Sequence, residues 1–442
     1  MKKLCIIYLL INSVVLSGQN NTIQLIDATL IKADIDTLVS RLRNYHPTYD
    51  DYYQKNNIQH KIDSLKKTIN DPMSSLEFFR IMQPMVVVDG HTTLTYNGQI
   101  SSDNNKPLFP FKIVIHNDNL YVKENLSENA DISKGSIIEL INGVPVNTII
   151  DELIRYLPGE KTSYKIKSLE NQFQMYFQLV YGSYAEFTIT ANDSDFKVEG
   201  AKWEDFIETS KPKFELRFYD KDIAYIYKRS FMPPRDFIHF MDSAFQVIED
   251  KQIKYLIIDN LKGGGMTDLA DTLLAYISKN PYYLFAKKKT KISPLTKDYI
   301  ADKKMEGTFK DGYFIQDFLT HKPTPKPNIF SGASYILTGP LSYSTATCFP
   351  ASAKCFQNAI IVGEESGQPL LSNGGMNRFR LTHTKLTCYT SLSQIYMPCN
   401  NNDVEKGVIP DYVVTPSLDD LLNDNDYTLE YTLKLIRENK AQ

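Results

Sequence analysis

The chain has 442 residues, a length that calls for two or three domains rather than one. Its 42% hydrophobic and 23% charged residues suit a globular protein, and a net charge of −3 gives no electrostatic footing for nucleic acid. No CxxC or His-rich spacing suggests a metal site, and no cofactor fingerprint is complete.

Lys2 and Lys3 precede an apolar run from Leu4 to Leu16, closed by Ser17 and Gly18. This is the pattern of a secretory signal peptide over 1–18, too short for a spanning helix and interrupted by Asn12 and Ser13. No later stretch could cross a bilayer, so the mature chain is expected to be exported: periplasmic, in the cell envelope, or secreted. Export permits disulfides. Cys348, Cys355, Cys388 and Cys399 remain, and they allow three pairings or none.

Residues 19–106 read as a helical unit. Leu30, Ile35, Leu38 and Leu42 recur at helical spacing, and His46-Pro47 ends that helix. A second helix is expected near Ile58–Ile69. A third is expected from Ser74 to about Met85, where Ser74 and Glu77 form a capping box. Val86–Val88 and Thr92–Tyr96 are strand-like around an Asp89-Gly90 turn, which predicts an accessible His91. Histidine is the usual general base near neutral pH.

Residues 107–200 read as mostly β, with hairpins at PFKIVIHNDNLYV and at SIIELINGVPV, whose turn is Asn142-Gly143. A short helix carries Ile149, Ile150, Leu153, Ile154 and Leu157, and residues 184–190 form a closing strand. Two strands and such a helix suit a module that binds a peptide strand along its edge; a purely structural β unit fits the same pattern. From Phe214 onward strand and helix alternate, the mark of a layered α/β domain over 201–442. Residues 223–227 and 255–259 are strands, and 234–248 and 268–277 are helices. Gly263-Gly264-Gly265 lacks the Lys-Ser/Thr of a phosphate loop, so it reads as a turn where backbone N–H groups approach a ligand. Residues 280–332 read as irregular, a lid or an insertion, with Lys287-Lys288-Lys289 as a solvated run.

Tyr335–Leu337 form a buried strand, Gly339-Pro340 breaks it, and Ser342, Ser344 and Thr345 precede a helix holding Ala346, Phe349, Ala353 and Phe356. A serine at a helix N-terminus is either a cap or a nucleophile whose oxyanion the free N–H groups would hold. A strand at 359–362, β-like sequence at 382–396, a turn and strand at 404–414, and a helical region at 417–438 complete the chain.

The ordered set DGHT, KGSIIELINGVPV, YIYKRSF, YLIIDNLKGGG, ILTGPLSYSTAT, AIIVGEESG and EKGVIPD resembles the tail-specific or C-terminal processing serine peptidases. The likeness is greatest to their tricorn-like branch; the family also holds the interphotoreceptor retinoid-binding proteins. It spans nearly all of the mature chain. It implies a multidomain α/β protein: a ClpP/crotonase-like core, an N-terminal helical unit and a PDZ-like β domain. It implies a serine-type endopeptidase acting on unstructured polypeptides or protein C-termini, or, as the alternative, a catalytically degenerate peptide- or apolar-ligand-binding protein on the same fold. Ser344 matches the nucleophile. The processing branch has a Lys base about two dozen residues later, but EESGQPLLSNGGMNRF contains none, so His91 matches the base of the tricorn-like branch. Glu405, or else Asp403, would orient it. Thr345 with Gly264 or Gly265 would supply the oxyanion hole. Two departures stand out: Asp259-Asn260-Leu261-Lys262-Gly263 replaces the family's Asp-Leu-Arg-x-Asn, and Thr347 replaces a frequent Glu.

Overall fold

The structure is a computed structural model that describes residues 24–96, 106–207, 212–318, 326–399 and 405–440. It is a mixed α/β architecture with several sheets. The central sheet has the strand order Phe214–Tyr219, Ile223–Lys228, Tyr255–Asp259, Ala333–Thr338, Ile360–Gly363 and Tyr412–Val413. Its first pair is antiparallel and the rest are parallel. A two-residue period sorts its side chains. Ala224, Ile226, Leu256, Ile258 and Ile336 face the helices Pro234–Asp250, Thr267–Ile277 and Thr345–Cys355. Ile223, Tyr225, Ile257, Tyr335 and Leu337 face Leu429, Leu433 and Ile436 of the helix Tyr427–Lys440. Strands buried on both faces read as near-continuous apolar runs, which is why YLIID and SYILT were legible.

A second sheet runs Thr308–Lys310, Tyr313–Asp317, Lys287–Lys291, Thr387–Tyr396 and Leu371–Arg380, with Thr93–Thr95 paired to Thr387–Tyr389. The described part of 280–332 is thus not irregular: it holds three of these strands and the helix Pro294–Asp302. Nor are Lys287–Lys289 a solvated run. Their ammonium groups lie over aromatic rings, with Lys288 Nζ 4.0 Å from the Phe285 centroid and Lys289 Nζ 5.1 Å from that of Tyr396. A charge count misses this arrangement because aromatic rings cover the ammonium groups, and burial lowers the Lys288 pKa.

The N-terminal helices Ala28–Tyr45, Tyr49–Lys55, Ile58–Thr68 and Ser75–Val86 pack on this sheet. The Ser74/Glu77 capping box is present. The last helix absorbs Val86, expected in a strand, and carries Pro84 within it. Leu30 is exposed and Ile31 takes its place in the core. Residues 106–207 form an antiparallel sheet around the helices Val146–Leu153 and Thr162–Tyr181. The second of these lies in sequence expected to be β. Leu169, Phe173 and Phe177 line its buried face, and Phe173 and Phe177 join Phe109 and Phe187 in one aromatic cluster. Helical spacing leaves Tyr164, Ser168, Asn171 and Gln172 along a different face.

Asp34 locks the first helix to the second sheet. Its buried carboxylate accepts from Thr384 N (2.7 Å), Thr384 Oγ1 (2.8 Å) and His383 N (3.1 Å). Asp34→Ala strands a buried N–H and hydroxyl, and should cost about 2–4 kcal/mol. Urea unfolding of the two proteins side by side measures it.

Candidate active site

The site forms where the chain leaves the carboxyl ends of the central parallel strands. After Thr338, Gly339-Pro340 turns the chain, and Leu341–Ser342 pair in parallel with Lys262–Gly263. Ser342 Oγ donates to Asn260 O at 2.5 Å and accepts from Gly339 N at 3.0 Å, so this serine is structural. Ser344 follows with φ 56° and ψ −124°, and Thr345 opens the helix. Ser344 occupies the N-cap position but makes no capping bond. Its Oγ lies 3.0 Å from His91 Nε2, across 253 residues of sequence.

His91 comes from the segment between the helix ending at Val86 and the strand Thr93–Thr95. It is buried, not accessible as the turn signal predicts, because Tyr343 packs against its ring at 5.3 Å and the second sheet lies beside it. Burial lowers its pKa; the Asp89 charge and the Asn373 backbone oppose that, and His46 adds to it. Asn373 stays outside hydrogen-bond geometry, and His91 Nδ1 has no hydrogen-bond partner among the described residues.

The expected orienting acid is elsewhere. Glu405 is exposed, its carbonyl accepts from Lys161 Nζ at 3.0 Å, and no hydrogen bond joins it to His91. The neighbouring segment is held away by Gly407 N donating to Glu365 Oε1 (2.6 Å) and Val408 N to Ser366 Oγ (2.8 Å). Asp403 lies outside the described residues.

The carboxylate beneath His91 is instead Asp89, which sequence reading assigned only to a turn. It is fully buried and accepts from His46 Nε2 (2.7 Å), Ser391 Oγ (2.8 Å) and the His91 backbone N–H (2.9 Å). Thr48 N–H donates to His46 Nδ1 at 3.2 Å, so the His46 proton sits on Nε2. Burial would raise the Asp89 pKa; His46 beside it overrides this and holds it below the usual carboxylate range.

The three glycines thread between Phe231 and Tyr343. A Cβ on Gly265, at φ 133°, would sit 2.5 Å from Phe231 O, so only glycine fits. A Cβ on Gly264 would lie 3.6 Å from Ser344 Cβ, which puts that backbone against the serine. Phe231 N donates to Gly264 O (2.9 Å), and Thr345 Oγ1 donates to Gly265 O (2.6 Å). The N–H groups of Gly264 and Thr345 take no protein acceptor among the described residues.

Two further pairs went unread in the sequence. Lys228, completely buried, donates to Asn260 Oδ1 at 2.7 Å, and Asn260 Nδ2 donates to Ala346 O at 2.6 Å. Burial brings the amine to a pKa of about 7, against the pull of Asp259. The Asn260 that departs from the family pattern is therefore the tie between a buried lysine and the serine's helix. Tyr343 Oη donates to buried Glu160, while its ring stacks on Tyr164 at 4.4 Å. Burial and the nearby Asp89 charge push Glu160 up to about 8.

A disulfide joins Cys355, in the serine's helix, to Cys399, and Cys348 and Cys388 are buried free thiols. Among the described residues no group of three His, Cys, Asp or Glu could hold a metal ion, and no helix is long and apolar enough to cross a membrane.

Glu160 holds its proton in the fold to about pH 8 but loses it near 4.5 when unfolded, so its contribution is complete below pH 4.5 and vanishes as pH rises through 8. Between those values the parent should lose stability relative to Glu160→Gln, by at most about 1.4 kcal/mol per pH unit. Denaturation of both proteins across that range tests this.

Residues 222–414 match the model of peptidase family S41. Mature CPAF has a similar fold, at TM-score 0.66 and 14% identity, covering 92% of this chain and 96% of that one. Mature CPAF complexed with lactacystin gives 0.67 and 13%, with 92% and 97% covered. A putative S41 protease from Bacteroides fragilis NCTC 9343 gives 0.44 and 14%, with 91% and 97% covered. No curated protein matched the chain.

Proposed function

Because the chain belongs to peptidase family S41 through residues 222–414, and is by that membership a serine-type peptidase, we propose that Ser344 and His91 are its catalytic pair. The observation that carries this reading is the 3.0 Å contact between Ser344 Oγ and His91 Nε2 at a strained helix entry.

In this mechanism, burial keeps His91 unprotonated near neutral pH, so Nε2 takes the Ser344 proton as Oγ attacks a peptide carbonyl carbon. The carbonyl oxygen becomes an oxyanion, and the N–H groups of Gly264 and Thr345 receive it, with Gly265 holding the strand in place. His91 then protonates the leaving amine, and water hydrolyses the acyl-enzyme by the same proton path. The imidazolium formed on the way is stabilised by the Asp89 charge beneath it. That is the service expected of Glu405, delivered here through the field and through the His91 backbone N–H rather than through Nδ1.

The substrate is an unstructured polypeptide or chain terminus, since the space beside Ser344 is a chamber of about 360 Å³ that suits an extended chain better than a folded surface. In this reading the core is of the ClpP/crotonase type and residues 107–200 are a PDZ-like domain. Export is supported by the pattern over 1–18 and by the Cys355–Cys399 disulfide.

Casein digestion by the chain lacking 1–18 tests the assignment. Ser344→Ala and His91→Ala should each lower the rate by at least about a thousandfold with folding intact; digestion that survives Ser344→Ala would overturn it. The lowered His91 pKa also fixes the acid limb of kcat/KM, which should fall below the ordinary histidine value of 6.5. A pH–rate profile reads it directly.

A further inference from the structure

From the charges around the chamber beside Ser344, we infer that this site selects its substrate by a carboxylate, recognised by Lys262. The inference rests on the peptidase reading above and deepens it to a substrate class. The chamber's far wall is the helical face carrying Tyr164, Ser168, Asn171 and Gln172, and its near wall is Lys262–Gly264 with Leu341. This lining holds neutral hydrogen-bonding groups, one aliphatic side chain and one cation, and no carboxylate.

The chamber continues into a wider groove of about 780 Å³ that shares Asn171, Gln172, Lys262 and Leu341 with it. Three other lysines line that groove, and each is already neutralised: Lys112 by Glu124 (2.9 Å), Lys167 by Glu170 (2.9 Å) and Lys123 by Asp424. Of the groove's other acids, Glu364 accepts from Tyr427 Oη and Asp420 accepts from Ser417 Oγ; they and Asp426 line only the wider part. The Lys262 ammonium has no hydrogen bond or ion pair among the described residues.

Position makes this unspent charge consequential. Lys262 stands two residues before Gly264, whose N–H faces the reacting carbonyl, so a substrate held there presents its neighbouring residues to the Lys262 side chain. A flexible, strongly hydrated ammonium reads charge rather than shape. A carboxylate is the group that gains most from it, and a cationic residue is the one it repels. That carboxylate comes either from an Asp or Glu near the scissile bond or from the substrate's C-terminus.

The test is peptide binding to Ser344→Ala, followed by fluorescence anisotropy, with hydrolysis by the parent measured in parallel. In one series a single Glu, Gln or Lys is walked along a neutral peptide with an amidated end; in the other the same peptides carry a free C-terminal acid. At one position, or at the free end, the carboxylate should bind about tenfold tighter than its neutral counterpart, with the advantage shrinking at high salt. The series that carries the advantage identifies the source of the carboxylate. Lys262→Glu should reverse the order in favour of Lys. Equal binding of Glu, Gln and Lys peptides with either end, no binding at all, or a preference untouched by Lys262→Glu would overturn the inference. Carboxylate-selective binding without hydrolysis by the parent would instead sink the peptidase reading and leave this one standing.

Discussion

The site depends on one strained residue. Ser344 has a Cβ and yet a φ of 56°, a conformation that costs about 1–3 kcal/mol and persists only where its surroundings over-determine it. They do so here from both sides. Tyr343 N donates to Gly263 O (3.3 Å), Thr347 Oγ1 to Ser342 O (2.8 Å), and Asn260 Nδ2 to Ala346 O (2.6 Å). These bonds clamp the residues before and after Ser344 and leave the serine as the link between them. The strain explains why Ser344 does not cap its own helix: its Oγ is turned outward, toward His91. It also explains the glycines. A clamp this tight brings Phe231 and Tyr343 against the 263–265 backbone, where a Cβ on Gly265 would meet Phe231 O at 2.5 Å.

The second half of the pair is imported, and its position is set by packing between distant parts of the chain. Thr93–Thr95 joins the second sheet through Thr387–Tyr389, and Asp34 fastens the first helix to the turn at His383-Thr384. Asp89 draws its donors from both sides of this junction: His46 from the helical unit, Ser391 from the second sheet. The carboxylate under His91 is therefore a product of docking, and the proposed catalytic geometry is complete only when the helical unit is seated.

What the sequence made legible follows from how locally each feature is determined. The strands 255–259 and 333–338 were readable because burial on both faces leaves an uninterrupted apolar run, and the Ser74/Glu77 box because it is a four-residue interaction. Ser344 and His91 were reachable only through the ordered motifs of a family, since each taken alone is an ordinary serine or histidine. The helix Thr162–Tyr181 carries a usable period in Leu169, Phe173 and Phe177, but the hairpins flanking it give the region a β signature. The strand Lys287–Lys291 was hidden because the Lys288 and Lys289 charges lie over aromatic rings, that of Tyr396 supplied by a distant part of the chain. Asp89, Glu160 and Lys228 could not be found at all: a local pattern marks a turn acid, a loop acid and a strand end, and only the tertiary fold reveals that all three are buried.

Those three buried groups are hydrogen-bonded, Lys228 through Asn260, to the segments that carry Ser344 and His91, and their charges are divided rather than summed. Asp89 stays ionised because three donors converge on it, one of them from a histidine. That settled charge helps keep Glu160, buried nearby, in its neutral form, where its proton-sharing contact with Tyr343 Oη remains favourable. Lys228, on the far side of the serine's clamp, is poised near neutrality and serves Asn260 as a donor in either state. The outcome is one settled negative charge, that of Asp89, beneath His91. In the proposed mechanism that charge steadies the imidazolium, and without it the buried ring would be reluctant to accept the serine's proton. Burial of the ring and the Asp89 charge thus set His91 between opposing pulls, with no acid touching Nδ1 among the described residues.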